Sequence, residues 1–540
     1  MKIYKTDLFR STKFLVSILI ITTLLIYSQS FFYDLIYLDD DILVYERLEE
    51  TNLGNKISTA FTSNYLGGHY YRPITLLSFV VDSAIGHNSL SLYHLSNFII
   101  HLLTSLLLFL ILKNLRYSLA ISSIASLFFA LDPIHINTVG WIAGRGDLLA
   151  ALFTLLALYF LQNFIEHNNP LQLLIVLVFV FLAFLSKEAS LLIPFLFAAF
   201  LFVEQKEFDF NRKSMGLFIL IIISLGSYYI LRGLLLSEVH IDKFSFTTYY
   251  SNFLVLPETI SKFFIPIGIK ALPRIELFTS VSGLVILLIL VSLPIKLRNI
   301  NKSRYYWGMI WFIILMLPGM VISTMGQDGF FYWDCRSYLP LFGLTLMIAE
   351  VFRSIEFNRY KKLFHYLAFL YILAIAVSTF FMLKIYKNSP SYWSSVKDDY
   401  PESFLPYVGL FNYYNHSENL TQAESQLVNA VTLRPKESSV RQLLINFYLE
   451  NDEKYKAFNF VKETVLEDSF NSDFYLEKLI SLSIETNQIA VIDQLIKKYS
   501  NENKIIEKIK KLIMDEKQKS EDANDTKRIQ ELTGKIEEIK

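Results

Sequence analysis

From Phe14 to about Tyr386 the apolar residues fall in blocks of roughly 17 to 25, the length that crosses the core of a bilayer. A chain patterned this way reads as a polytopic membrane protein. Its 53% hydrophobic content, with 46 Phe and 32 Tyr, is concentrated in those blocks. After Ser389 the composition turns polar and charged, so a water-soluble part follows the membrane part. Fifty basic and fifty acidic residues give a net charge of zero, which argues against nucleic acid as a partner. Cys335 is the one cysteine, so no intrachain disulfide can form. Lys2, Lys5, Arg10 and Lys13 resemble the basic start of a signal peptide. No small-residue cleavage site follows Phe14 to Ser30, and the segment is expected to stay as a first span.

About eleven spans are expected, near 14–30, 91–112, 118–133, 148–166, 170–186, 190–204, 215–236, 277–295, 306–323, 338–352 and 363–384. Basic clusters at the N-terminus, at Lys113 and Arg116, and at Lys206, Arg212 and Lys213 fall on one side. So do Lys296, Arg298, Lys302 and Arg304, and then Arg353, Arg359, Lys361 and Lys362. The positive-inside rule makes that side cytoplasmic and puts the C-terminal part outside. The loops 33–90, 134–147, 187–189, 237–276 and 324–337 are then outside too. Arg72, Arg145, Lys187, Lys262, Lys270, Arg274 and Arg336 break the rule, and an anionic ligand held at that face would account for them.

The soluble part repeats with a period of 34 residues: Tyr414 with Tyr448, Ala423 with Ala457, Leu427 with Val461, Leu410 with Leu444. Pro435 closes the first unit where a tetratricopeptide repeat ends its second helix. A third unit, about 472–505, keeps Leu482 and Leu495, has Val491 at the small position, and reads as a capping repeat. The expected division is a membrane domain at 1–390, a linker at 391–403, repeats at 404–505 and a charged helical tail at 506–540.

Polar motifs punctuate the outer loops. Asp39-Asp40-Asp41 lies just past the first span, where carboxylates beside lipid are expensive. Neighbouring carboxylates raise one another's pKa, which suits a general base; a helix stop and N-cap is the plain alternative. Tyr70-Tyr71-Arg72-Pro73-Ile74-Thr75 follows, with Arg72 able to grip a phosphate or merely to snorkel. The stretch from Asp132 to Asp147 is too polar for lipid, and His135, Arg145 and Asp147 could line a cleft there. Lys187-Glu188 and Asp334-Cys335-Arg336-Ser337-Tyr338-Leu339-Pro340 each open a later span. No pair of His residues has metal-ligand spacing.

Together these motifs resemble the tetratricopeptide-containing transmembrane O-mannosyltransferases and their bacterial relatives, in the GT-C glycosyltransferase superfamily. The likeness rests on the acidic triplet, Tyr71-Arg72-Pro73-Ile74, Tyr93-His94, Asn97, His101, the 132–147 block, Ser186-Lys187-Glu188 and, more loosely, 334–340. Asp132-Pro133 replaces the family's His-Pro, and Arg145-Gly146-Asp147 and Lys187-Glu188-Ala189-Ser190 also depart from its pattern.

The resemblance implies an all-α GT-C fold followed by an extracytoplasmic solenoid of tetratricopeptide repeats. It implies a polyprenyl-phosphate sugar donor, with mannose the family's sugar, and inverting transfer to Ser or Thr of an exported protein held near the repeats. Asp39 would be the base and Asp40 its neighbour, while Arg72, Arg145, Lys187 and Arg336 would bind the donor phosphate. Asp41, His94, His135, Asp147 and Glu188 would support them. No metal is required, although an acidic pair leaves one open. Rival readings are a cell-surface oligosaccharide ligase or polymerase, and a non-catalytic scaffold recruiting partners through its repeats. Lack of disulfides, the charged tail and the lack of a retention signal favour a bacterial inner membrane.

Overall fold

The computed structural model describes residues 11–44, 52–66, 70–86, 89–205, 212–235, 252–297, 299–320, 333–356, 361–466 and 472–519. Lys2, Lys5, Arg10, Lys206, Arg298, Arg359, parts of the 237–276 and 324–337 loops, and the tail beyond 519 lie outside them. Among the described residues the fold is all-helical, apart from one isolated bridge between Tyr65 and Tyr70.

Every segment expected as a span falls on a helix. Among the described residues five helices are long and apolar enough to cross a membrane: Thr12–Phe32, Leu90–Asn114, Ile142–His167, Leu277–Lys296 and Lys362–Tyr386. A sixth span arises if Leu119–Leu131 and Pro133–Val139, bent by 44°, count as one. Asp132 causes the bend: it caps the short helix by accepting the Ile134 N–H at 3.0 Å, and Pro133 cannot donate to the preceding turn. The turn at 167–169 is built by two asparagines. Asn168 takes a left-handed φ of 55°, and Asn169 caps the next helix through the Leu171 N–H at 3.0 Å.

The outer loop expected at 33–90 is largely helical. It contains Asp40–Val44, the amphipathic Leu53–Thr62 and the apolar Pro73–Gly86. Glycines set two close helix contacts. Gly308 and Gly343 face each other, and a Cβ on Gly283 would sit 1.7 Å from the Pro257 carbonyl oxygen. That second contact presses helix Val255–Phe264 onto Leu277–Lys296.

The chain forms two compact units that meet at Pro401, later than the expected domain end. Residues 391–403, expected as a linker, are mostly helix Ser389–Asp399, a part of the membrane unit. Its aromatic face explains why: Trp393 Nε1 donates to the Ile36 carbonyl at 3.0 Å and Tyr392 Oη to that of Ala271 at 3.1 Å.

The second unit contains three helical hairpins: Leu405–His416 with Leu420–Leu433, Ser438–Glu450 with Lys454–Leu466, and Asp473–Glu485 with Ala490–Lys498. Glu418, Asp452 and Asn487 each take a left-handed φ, of 57°, 58° and 59°, at the hairpin turns. Those residues recur at steps of 34 and 35, so the 472–505 unit keeps the turn geometry with one residue added. Ala423, Leu427, Leu444, Tyr448, Ala457 and Val461 share one buried core. The charged tail begins as helix Asn503–Lys519, which buries Ile506, Ile509 and Ile513 in that core and leaves Lys504, Glu507, Lys508, Lys510 and Lys511 outside it.

Gly283→Ala should lower stability by about 1–3 kcal/mol, because the new methyl group must displace a backbone carbonyl. Thermal unfolding in detergent measures this, and an unchanged midpoint would contradict the close packing.

Candidate active site

The acidic triplet is held by the two ends of the membrane unit. Beyond the first span the chain runs without regular structure through Ile36, bends at Tyr37, where φ is 48°, and reaches Asp39, and the exit of the last span clamps it. The Asp34 N–H donates to the Lys387 carbonyl at 2.9 Å, and Ser389 Oγ donates to that of Ile36 at 3.2 Å. Asp39 then serves as helix N-cap, its carbonyl accepting the Leu43 N–H at 3.2 Å. The helix-cap alternative and the catalytic one are therefore compatible.

The two leading carboxylates differ in access. Asp39 is half-buried, whereas Asp40 is fully buried, with Oδ2 accepting the Ile36 N–H at 3.3 Å. Burial pushes Asp39 up to about 7; Asp41 adds to the rise and the Arg72 guanidinium opposes it. Asp40 is also pushed up to about 7 by burial, against the Ile36 N–H. The Trp141 indole lies close enough to favour the Asp40 carboxylate but lacks hydrogen-bond geometry.

Arg72 closes the same face. Its Nε donates to Glu188 Oε2 at 3.0 Å, and Nη2 lies 2.9 Å from that oxygen. The guanidinium sits over the rings of Tyr65 and Tyr70, at 4.8 and 4.6 Å. Burial alone would depress its pKa, but Glu188 and its neighbours outweigh that and hold it raised. The backbone brings the two partners together: Ile74 N–H donates to Leu185 O at 3.1 Å and Thr75 Oγ1 to Ser186 O at 2.9 Å. Lys187, next in the chain, pairs with Asp147. Burial also pushes the Tyr65 hydroxyl up, and the charges of Arg72, Asp39, Asp147 and Asp40 all reach it.

Arg145 corrects the sequence reading. Its side chain is 0% exposed, against 14% for both Arg72 and Lys187. It pairs with Asp82 and donates from Nε to Asn97 Oδ1 at 2.7 Å and from Nη2 to Tyr93 O at 2.6 Å. A guanidinium spent this way is a structural knot, not a phosphate grip. His94 and His135 are buried as well. His94 packs edge-on to Tyr33, and His135 lies among Phe129, His101 and Tyr338. Arg336 is half-buried and donates from Nη1 to Gly319 O at 3.3 Å.

The structure thus brings the acidic triplet into the field of Arg72, which pairs with Glu188 and feels Asp147, the partner of Lys187, with Arg336 near that last pair, while Arg145, His94 and His135 are fully buried. Sequence reasoning missed Tyr65, Asp82 and the Trp141–Trp333 stack, whose centroids are 5.5 Å apart. Only Asp82 carried a signal, as a lone carboxylate in an apolar helix. Among the described residues no group of three or more His, Cys, Asp or Glu side chains converges as a metal site.

Residues 78–229 match the family described as dolichyl-phosphate-mannose-protein mannosyltransferase. That range contains Asp82, Arg145, Asp147, Lys187 and Glu188. A protein O-mannosyl-transferase of Caenorhabditis elegans is 23% identical over 398 residues, covering 68% of this chain and 54% of that protein. Over that stretch the chain is similar to a protein O-mannosyl-transferase. The human protein O-mannosyl-transferase TMTC3 is 39% identical over 87 residues, 16% of this chain and 9% of that one. Mouse TMTC4 is 31% identical over 169 residues, 27% of this chain and 23% of that one. The chain therefore spans about half the length, 54%, of the nematode relative and much less of the others. No solved structure matches it.

Arg145→Leu should abolish the folded protein, since stranding one partner of a buried ion pair costs about 3–5 kcal/mol. Arg72→Met should leave a folded, monodisperse protein. Size-exclusion profiles of the two variants check this, and a well-folded Arg145→Leu would contradict the knot.

Proposed function

We propose that the chain is a membrane glycosyltransferase that moves a sugar, mannose by its relatives, from a polyprenyl-phosphate carrier to Ser or Thr hydroxyls of exported proteins. The observation that carries this reading is a half-buried carboxylate, Asp39, within the field of the Arg72 guanidinium that Glu188 holds; burial pushes its pKa up to about 7. A base and a phosphate clamp are what transfer from a sugar phosphate to a hydroxyl requires.

Asp39 takes the proton of the acceptor hydroxyl as its oxygen attacks the anomeric carbon. The bond from that carbon to the phosphate oxygen breaks on the opposite face, so configuration inverts. The bonding electrons leave with the phosphate, and cations beside it stabilise the charge that develops there. Arg72 turns Nε and Nη2 to Glu188, which leaves Nη1 to face an anion. Lys187 and Arg336 stand with it. Asp40, sealed and held by Ile36, fixes the triplet rather than meeting substrate.

The hairpins of the second unit read as tetratricopeptide repeats that hold the acceptor segment. The orientation proposed is a cytoplasmic N-terminus with site and repeats outside, in a bacterial inner membrane. The pattern of basic residues supports the orientation; the compartment rests on the sequence features given above.

The test uses purified protein, radiolabelled polyprenyl-phosphate mannose and a pool of envelope proteins. Wild type should label protein, and Asp39→Asn should lose about 10²-fold or more with insertion unchanged. Equal labelling by the two would overturn the assignment of the base; no labelling by wild type from any lipid-linked sugar would overturn the function.

A further inference from the structure

Seven basic residues break the positive-inside rule, and Lys262 is the most deeply buried of those outside the knot around Arg145. It lies on helix Val255–Phe264 between two carboxylates. Its Nζ is 3.0 Å from Glu258 Oε1 and 3.1 Å from Asp334 Oδ1, and the side chains of all three are 6% exposed or less. Burial would depress the lysine, but Asp334 and Glu258 outweigh it and keep it charged. Burial pushes Glu258 up to about 7 and Asp334 upward, with Lys262 opposing both shifts. A buried pair of this kind is weak evidence for stability, because apolar side chains of similar volume often replace such pairs without loss. What it supplies is a defined position.

The helix that carries Lys262 is a fixed buttress. Gly283 lets it sit against Leu277–Lys296, Ser261 Oγ and Ser282 Oγ are 2.7 Å apart, and Tyr371 Oη donates to the Phe264 carbonyl at 3.0 Å. Asp334 opens the short 3-10 turn Asp334–Ser337. Just before it, Trp333 stacks on Trp141, the indole beside Asp40. Within the turn, the Cys335 thiol is pushed up to about 12 by burial and by Asp147, while Lys187 and Arg336 oppose the rise. The turn therefore reaches the candidate site twice, through Trp141 beside Asp40 and through the charges of the Lys187–Asp147 pair felt at Cys335.

We propose that Lys262 is a positioning residue: through Asp334 it fixes the 333–337 turn, and the turn sets Trp141 beside Asp40 and Arg336 beside Lys187. Tyr338 and Leu339 tie down the far end, through a 2.7 Å contact of Tyr338 Oη with His101 Nδ1 and a 3.0 Å bond from Trp311 Nε1 to the Leu339 carbonyl. Lys262 holds the end nearest the acids. Its effect on catalysis rests on the functional reading above; its hold on the turn does not.

Cys335, the one thiol of the chain and 4% exposed, reports the turn directly. Its rate of modification by a small maleimide is measured on the full chain in lipid nanodiscs, below each variant's unfolding midpoint. Wild type and Lys262→Arg should react slowly. Lys262→Met and Asp334→Asn should each react at least about ten times faster, as the released thiol returns toward the ordinary cysteine pKa. The double variant should react no faster than the singles, because both remove one link.

In the mannosyl-transfer assay, Lys262→Met should raise the donor KM several-fold, and this effect should vanish in an Arg336→Ala background. Slow labelling of both Lys262→Met and Asp334→Asn would overturn the proposal, as would additive losses with Arg336→Ala. If wild type transfers no sugar, the functional reading fails while the maleimide rates still decide whether Lys262 holds the turn. If Lys262→Met does not fold, Asp334→Asn carries the same test.

Discussion

Charge placed beside lipid must find a partner, and the face of the membrane unit that carries the candidate site is organised by that demand. Arg72 meets Glu188, Lys187 meets Asp147, Arg145 meets Asp82, Lys262 meets Glu258 and Asp334, and Lys270 meets Glu276 and Asp399. Most of these pairs join segments distant in sequence, so the same contacts that neutralise charge also assemble the face. Five of the seven basic residues expected to break the positive-inside rule are thus paired first with carboxylates within the chain. An anionic ligand has to work with cations that are already held, and this favours those that keep a free edge.

That requirement separates residues that looked equivalent in sequence. Arg72 and Arg145 both follow a glycine- or tyrosine-rich turn, and both stood as phosphate grips. Arg145 is fully enclosed and its donors are used; Arg72 is partly exposed, rests on two tyrosine rings and lies within electrostatic reach of Asp39. The triplet divides likewise. Asp40 is sealed by the backbone of Ile36, while Asp39 remains reachable. Under the proposed function the chemistry is assigned to the less buried member of each set.

Much of this was legible in the chain. Apolar blocks marked every helix expected as a span, and the 34-residue repeat of Tyr, Ala and Leu marked the hairpins of the second unit. Asp39, Arg72, Lys187 and Glu188 stood out as charges at the ends of apolar blocks, and they do converge. The pairings were not legible, because Asp82 and Arg145, or Lys262 and Asp334, are far apart in sequence and meet only when the helices pack. Nor was the fate of 391–403 legible: its polar residues read as a linker, while Tyr392 and Trp393 make it part of the membrane unit. The tail from 506 looked solvated because its Lys and Glu outnumber the three isoleucines that bury it.

The account depends on Asp39 titrating near neutrality in the field of Arg72, and a pH–rate profile of sugar transfer tests that most directly. A base must be unprotonated, so the wild-type rate should rise with pH through about 7. Removing the cation that lowers the pKa, in Arg72→Met, should move the rise to higher pH. A rate that is flat across this range, or a profile that Arg72→Met leaves in place, would contradict the account.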